Sequence, residues 1–196
     1  MSQPATSPTK NEVVSFENEE LILVDGNDTQ TGTLDKSACH NGAGVLHRAF
    51  SLFIFNTQGE LLLQQRAAGK RLWPLYWSNS CCSHPRAGEE MDYAVARRLE
   101  QELGMSAQLN YVYKFQYQAS FGSAGGEHEL CSVYVGRAQD EPTINTTEIE
   151  ACRWITPAAL TEALATRPDD FTPWFRMEWH ALQHEHATEL APLIKI

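Results

Sequence analysis

Apolar residues along this chain recur with two periods, and the places where the period changes mark its elements. The apolar run LILV from Leu21 ends at Asp25-Gly26-Asn27-Asp28, which predicts a short buried strand followed by a turn. LHRAFSLFIF and ELLLQQR, separated by Asn56-Thr57-Gln58-Gly59, predict two strands joined as a hairpin. In GEEMDYAVARRLEQELG the apolar positions Met91, Val95, Leu99 and Leu103 fall on one helical face, with Gly104 as the stop. The period then drops to two. Tyr111, Tyr113, Phe115, Tyr117 and Ala119 share one face of a predicted strand, and Glu127, Glu129, Cys131, Val133 and Val135 one face of the next. If SFGSAGG closes the two as a symmetric hairpin, Tyr117 faces Glu129 and Ala119 faces Glu127. Thr156-Pro157 and Thr172-Pro173 each combine a cap with proline at the first helical position, predicting helices over 157–165 and 173–187. This order predicts an α/β/α layered fold with a mixed sheet.

Composition narrows the possibilities. With 196 residues, 42% apolar and 20% charged, the chain suits a single domain over 17–196 behind a flexible, polar tail over 1–16. A net charge of −10 argues against nucleic acid or an anionic membrane as partner. The average hides an asymmetry: from Lys36 to Arg98 lie eight of the fifteen basic residues against four acidic ones, a stretch suited to a small anionic ligand. Five cysteines without a CxxC pair do not form a disulfide framework and point to a reducing, cytoplasmic setting. No apolar run approaches the roughly 18 residues of a membrane span, and the N-terminus lacks an apolar signal core.

The candidate chemistry lies in three separated segments. His40 and His47 (CHNGAGVLH), His84 (SCCSH) and Glu127 with Glu129 (EHE) offer three imidazoles and two carboxylates. Two carboxylates on one strand face are costly to bury without a cation, and a mixed nitrogen and oxygen set suits Mn²⁺, Mg²⁺ or five- to six-coordinate Zn²⁺. The alternative is surface histidines beside a solvated strand. His180, His184 and His186 stand among Gln183, Glu185 and Glu189 and fit a solvated helix face better than a metal site. In SNSCCSH, Cys81 and Cys82 sit among polar residues, unlike most structural cysteines. A thiol beside an imidazole and just upstream of a helix suits a nucleophile or an acid–base group; packing is the competing role. Glu89, Arg97, Leu99, Glu102 and Gly104 stand at the spacings of a Nudix box, but Arg98 and Gln101 replace two of its glutamates, which weighs against hydrolysis of that kind. Arg98 then either contacts a phosphate or pairs with Glu102 one turn on.

Taken together, TGTLDKSACH, LHRAFSLFIFN, WPLYWSNSCCSHPRAGE, RRLEQELG, EHEL and FTPW resemble the type I isopentenyl diphosphate isomerases, a family of the Nudix-fold superfamily, from about Leu21 to about Trp179. The resemblance implies a Nudix-like fold and conversion of isopentenyl to dimethylallyl diphosphate by protonation and deprotonation through a carbocation, in isoprenoid biosynthesis. By position it implies Cys82 and Glu129 as catalytic residues, Tyr117 as support for the glutamate, and Trp174 as stabiliser of the cation. It implies metal ligation by His40, His47, His84, Glu127 and Glu129. Lys36, Arg66, Lys70 and Arg98 fall at diphosphate-binding positions, and Glu102 with the Cys82 carbonyl at a second site for Mg²⁺ arriving with substrate. A small isoprenoid diphosphate is the expected partner, with the protein a monomer or weak homodimer. A Nudix-type hydrolase and a non-catalytic domain with a structural metal are the alternatives.

Overall fold

The computed structural model describes residues 9–194. The chain runs through β1 (Thr9–Lys10), β2 (Glu20–Val24), β3 (Gln30–Asp35), the one-turn helix α1 (Lys36–Cys39), β4 (His47–Phe55) and β5 (Leu61–Arg66). Two short strands, β6 (Trp77–Ser78) and β7 (Cys81–Ser83), precede the long helix α2 (Met91–Leu103). The hairpin of β8 (Gln108–Ser120) and β9 (Gly126–Arg137) leads to β10 (Ile144–Asn145) and β11 (Ile149–Ile155), then to α3 (Pro157–Thr166), α4 (Pro173–His184) and α5 (Ala187–Leu190).

β4 is the axis of the sheet. One of its edges pairs in parallel with β9 from His47↔Glu129 to Phe55↔Arg137, and β8 lies antiparallel on the far side of β9. Residues of β4 alternate between two cores. Ala49, Phe53 and Phe55 pack with Trp174, Phe175 and Trp179 of α4, whereas Phe50, Leu52 and Ile54 pack with Val95, Leu99 and Leu103 of α2. The layers are those expected, helices on both faces of a mixed sheet. Gly104 ends α2 in the left-handed region at φ 61°, its N–H on the Glu100 carbonyl, as the stop signal required.

The predicted hairpin of β4 and β5 closes at its turn but pairs only at Phe55↔Leu61. Beyond that point the strands part. β7 pairs with β4 at Phe50, Ser51 and Leu52, and β6 with β5 at Gln64 and Gln65. Parting two strands leaves backbone groups that must be satisfied. The polar run before the cysteines does this: the Ser80 hydroxyl accepts from Ile54 N–H at 2.8 Å and donates to the Leu62 carbonyl at 2.7 Å, and the Asn79 amide donates to the Cys81 carbonyl at 2.8 Å. Ser78, Asn79 and Ser80 are fully buried, so their polarity marks a wedge inside the sheet rather than an exposed loop.

Three other expectations change. A bulge between Tyr111 and Tyr113 turns Tyr111 away from the Tyr113–Ala119 face and onto Tyr134. α4 ends at His184 instead of residue 187, because Glu185 and His186 both close back onto the Ala181 carbonyl and the His186 ring stacks on Tyr113 at 4.3 Å. Of the expected tail, residues 1–8 lie outside the described residues. Residues 9–16 carry β1, which pairs with β10, and Val14, which is buried with its carbonyl accepting from Arg98. Among the described residues, no helix is long and apolar enough to cross a membrane. Truncating the α2 contact at Leu99, which is 1% exposed, with Leu99→Ala is expected to cost about 2–5 kcal/mol, read from urea unfolding.

Candidate active site

The five predicted ligands converge. His40 follows α1, His47 opens β4, His84 follows β7, and Glu127 and Glu129 share one face of β9. One ligand atom from each lies within 4.8 Å of all the others. His84 Nε2 and Glu129 Oε1 are 2.9 Å apart, His40 Nε2 and Glu127 Oε2 2.9 Å, and His47 Nε2 and Glu129 Oε1 3.8 Å. His47 Nδ1 lies 2.7 Å from the Val45 carbonyl, which requires the proton on Nδ1 and turns a bare Nε2 toward the cluster. His40 Nε2, His47 Nε2 and Glu127 Oε2 are buried without a hydrogen bond of proper geometry, since the close His40–Glu127 approach is misdirected. Buried polar atoms left without partners on nitrogen and carboxylate donors fit a divalent cation.

Electrostatics agrees with that fit. Burial, then the charge of neighbouring imidazoles, holds His84 well below its ordinary value and His47 down to about 4, so both are neutral, the form that binds metal. Burial raises the Glu127 carboxyl, but His40 outweighs it and holds the group at about 2. Glu129 is pushed well above the carboxylate range by burial and by the charge of Glu127. One proton therefore rests on the Glu129 side, and a cation binding all five groups would release it.

Beside the cluster opens a cavity of about 350 Å³ lined by Cys82, Glu129, Tyr117 and Trp174 together with Lys36, Arg66, Lys70, Arg71 and Arg98. Tyr117 Oη donates to Glu129 Oε2 at 2.7 Å, from the register that places these two residues opposite each other. Successive residues of β7 point to opposite faces, so Cys82 reaches the cavity while Cys81 is buried in the α2 core, the packing role expected of one of the two. Burial pushes the Cys82 thiol up to about 12 against the pull of Arg66. The Arg66 guanidinium lies 5.3 Å over the Trp174 ring and donates to the carbonyls of Leu72 and Trp73, so this ring already meets a cation.

At the basic end Lys70 pairs with Glu148, and Lys36 donates to the Ser15 hydroxyl. Arg98 pairs with Glu102, its Nε and Nη2 lying 2.9 and 2.6 Å from Oε1, and its Nη2 also lies 3.2 Å from Glu148 Oε2. Glu102 stands behind Arg98, outside the cavity lining. The remaining histidines stand apart. His180 and His184 neighbour each other on the exposed face of α4, with ring centroids 4.4 Å apart.

Sequence reasoning missed Glu148, for which the run TTEIE carries no signal, and Glu178. The latter is fully buried, pushed up to about 8 by burial, and its Oε1 accepts from Cys131 Sγ at 3.6 Å. Its signal was available: Glu178 stands one helical turn from Trp174, on the same apolar face as Phe175, Trp179 and Leu182.

Helices on both faces of a mixed sheet, with a buried His/Glu cluster that could hold a metal beside a cavity lined by basic residues, are the setting of a Nudix-like fold. The NUDIX domain family matches residues 45–175. Isopentenyl-diphosphate Delta-isomerase 1 of Photorhabdus laumondii is 43% identical over 174 residues, covering 88% of this chain and 99% of that protein. Isopentenyl-diphosphate Delta-isomerase of Serratia proteamaculans is 45% identical over 157 residues, covering 80% and 87%. The chain belongs to the type I isopentenyl-diphosphate Delta-isomerase family of the Nudix superfamily. The fold is shared with the crystal structure of DR0079 from Deinococcus radiodurans, at TM-score 0.63 and 24% identity over 76% of this chain and 90% of that one.

The cluster makes a pH prediction for the metal-free protein. A histidine held at about 4 when folded and about 6.5 when unfolded takes up its proton only on unfolding, so its contribution to stability falls as pH drops below 6.5. His47 alone is expected to remove about 2 kcal/mol between pH 7 and 5, with His84 adding in the same direction. The raised Glu129 and Glu178 carboxyls contribute with the opposite sign over this range, so the check is a comparison by urea unfolding: the stability of wild type relative to His47→Gln should fall by that amount from pH 7 to pH 5.

Proposed function

We propose that this cavity interconverts isopentenyl and dimethylallyl diphosphate, a step of isoprenoid biosynthesis. The observation that carries the mechanism is that Cys82, the hydrogen-bonded Tyr117–Glu129 pair and the Trp174 ring line one cavity. An alkene is a weak base, so its protonation needs a strong acid in a water-poor site and a surface that stabilises a tertiary carbocation without trapping it. Glu129, oriented by Tyr117, adds a proton to the terminal methylene carbon. The face of Trp174 stabilises the resulting cation. Cys82 removes a proton from the carbon on the other side of the cationic centre, and the double bond has moved. Forming the Cys82 thiolate is work for the liganded state, given the burial that holds the thiol up, and Arg66 favours that anion.

His40, His47, His84, Glu127 and Glu129 would hold Mn²⁺, Mg²⁺ or Zn²⁺, whose charge would acidify the groups around Glu129. Lys36, Arg66, Lys70 and Arg98 would receive the diphosphate, in place of the Glu148 carboxylate that now answers Lys70 and Arg98. A second Mg²⁺ arriving with the diphosphate would be held by the Cys82 carbonyl and Glu102, which now pairs with Arg98. Arg98 in place of a metal-binding carboxylate, and paired with Glu102, weighs against a Nudix-type hydrolase.

Incubation with isopentenyl diphosphate and Mg²⁺ in D₂O, followed by proton and phosphorus NMR, should give dimethylallyl diphosphate carrying solvent deuterium with the diphosphate intact. Released phosphate would favour the hydrolase. Cys82→Ala and Glu129→Gln should each lower turnover at least ~10³-fold, as expected where a group acts directly on the reacting atoms, while the protein stays folded by circular dichroism. Full activity in Cys82→Ala would sink the mechanism.

A further inference from the structure

His40 is the least supported of the five ligands by its own element. α1 is only four residues long, too short to fix the direction of a side chain at its end. Its partner Glu127 stands just past the tip of the β8–β9 hairpin. The placement of the end of α1 against the start of β9 therefore sets the distance from His40 to Glu127, and close contacts hold them together. Gly126 N–H donates to the His40 carbonyl at 3.1 Å. Gly125, at φ 138°, passes so near that a Cβ there would lie 2.1 Å from the His40 oxygen, and a Cβ on Gly44 would lie 2.9 Å from His128 N.

Arg71 ties the same segments from outside. Its Nε donates to the Ala124 carbonyl at the hairpin tip at 2.9 Å, its Nη1 to the Ser37 carbonyl of α1 at 3.2 Å, and its Nη2 to Asn41 Oδ1 at 2.7 Å. All three nitrogens of the planar guanidinium are engaged, and each acceptor belongs to the protein although Arg71 borders the substrate cavity. A lysine has one nitrogen and cannot span the two segments in this way.

We propose that Arg71 is a positioning residue of the metal centre: it fastens the β8–β9 tip to the end of α1 and so holds His40 against Glu127. The inference rests on the five-residue cluster being a metal site. It makes a prediction of opposite sign to a purely electrostatic role, since removing a positive charge near a cation site strengthens cation binding, whereas removing a strut weakens it.

The test is titration of metal-free protein with Mn²⁺, reading the free ion by electron paramagnetic resonance. Arg71→Ala is expected to weaken Mn²⁺ binding about 10–100-fold, the usual effect of losing an outer support, and Arg71→Lys to stay within a few-fold of Arg71→Ala. Arg71 is exposed, so its truncation opens no core cavity, and urea midpoints of the metal-free wild type and variants should coincide. Unchanged or tighter Mn²⁺ binding in Arg71→Ala, full recovery in Arg71→Lys, or a metal-free midpoint that falls with the affinity would overturn the inference. Wild type that takes up no Mn²⁺ would overturn the metal reading itself, and the inference with it.

Discussion

Burying an ionised carboxylate costs several kcal/mol unless opposite charge or hydrogen-bond donors answer it, and β9 buries two, Glu127 and Glu129, on one face. The placement of several segments follows from that demand. Parallel pairing with β4 sets His47 beside Glu129, β7 delivers His84, and α1 delivers His40. The hairpin partner β8 adds the Tyr117 hydroxyl. Burial and the negative charge of Glu127 together still raise Glu129. The same burial that suits the cluster to a cation thus also lifts this carboxyl.

The basic side chains of the cavity pose the reverse problem. Lys36, Lys70 and Arg98 crowd together, and burial followed by Lys70 lowers the pKa of Lys36. Glu148 and Glu102 answer part of this excess from within the protein. The cavity wall thus carries the carboxylates of the cluster as well as these basic side chains, with the Arg66 guanidinium over the Trp174 ring.

Much of this was legible from spacing. Helix α2 and its stop, the caps at Thr156 and Thr172, and the pairing of Tyr117 with Glu129 all follow from local periodicity, which says which face a residue occupies. Local periodicity does not say which strand lies alongside. The parting of β4 from β5 was therefore invisible, and with it the reason for Ser80, which meets Ile54 N–H and the Leu62 carbonyl, and for Ser78, whose hydroxyl lies 2.9 Å from that of Thr172. The five ligands were legible because their chemistry is unusual at any position. Arg71 and Glu148 were not, because a basic or acidic side chain reads the same from sequence whether it braces two loops, neutralises a neighbour or faces water.

The adjacent cysteines carry a consequence for folding fidelity. Side chains on a strand alternate, so moving β7 by one residue along β4 would send Cys81 to the cavity and Cys82 beneath α2. After such a shift one of the two native thiol positions would still receive a cysteine and the other a serine, Ser80 or Ser83, so the cysteines alone discriminate only weakly against it. The discrimination has to come from the flanks. Ser80 meets Ile54 N–H and the Leu62 carbonyl in one alignment only, and His84 reaches Glu129 in that same alignment. The buried serine thus acts as a proofreader of strand alignment, rejecting a misfold that the cysteines themselves would penalise only weakly.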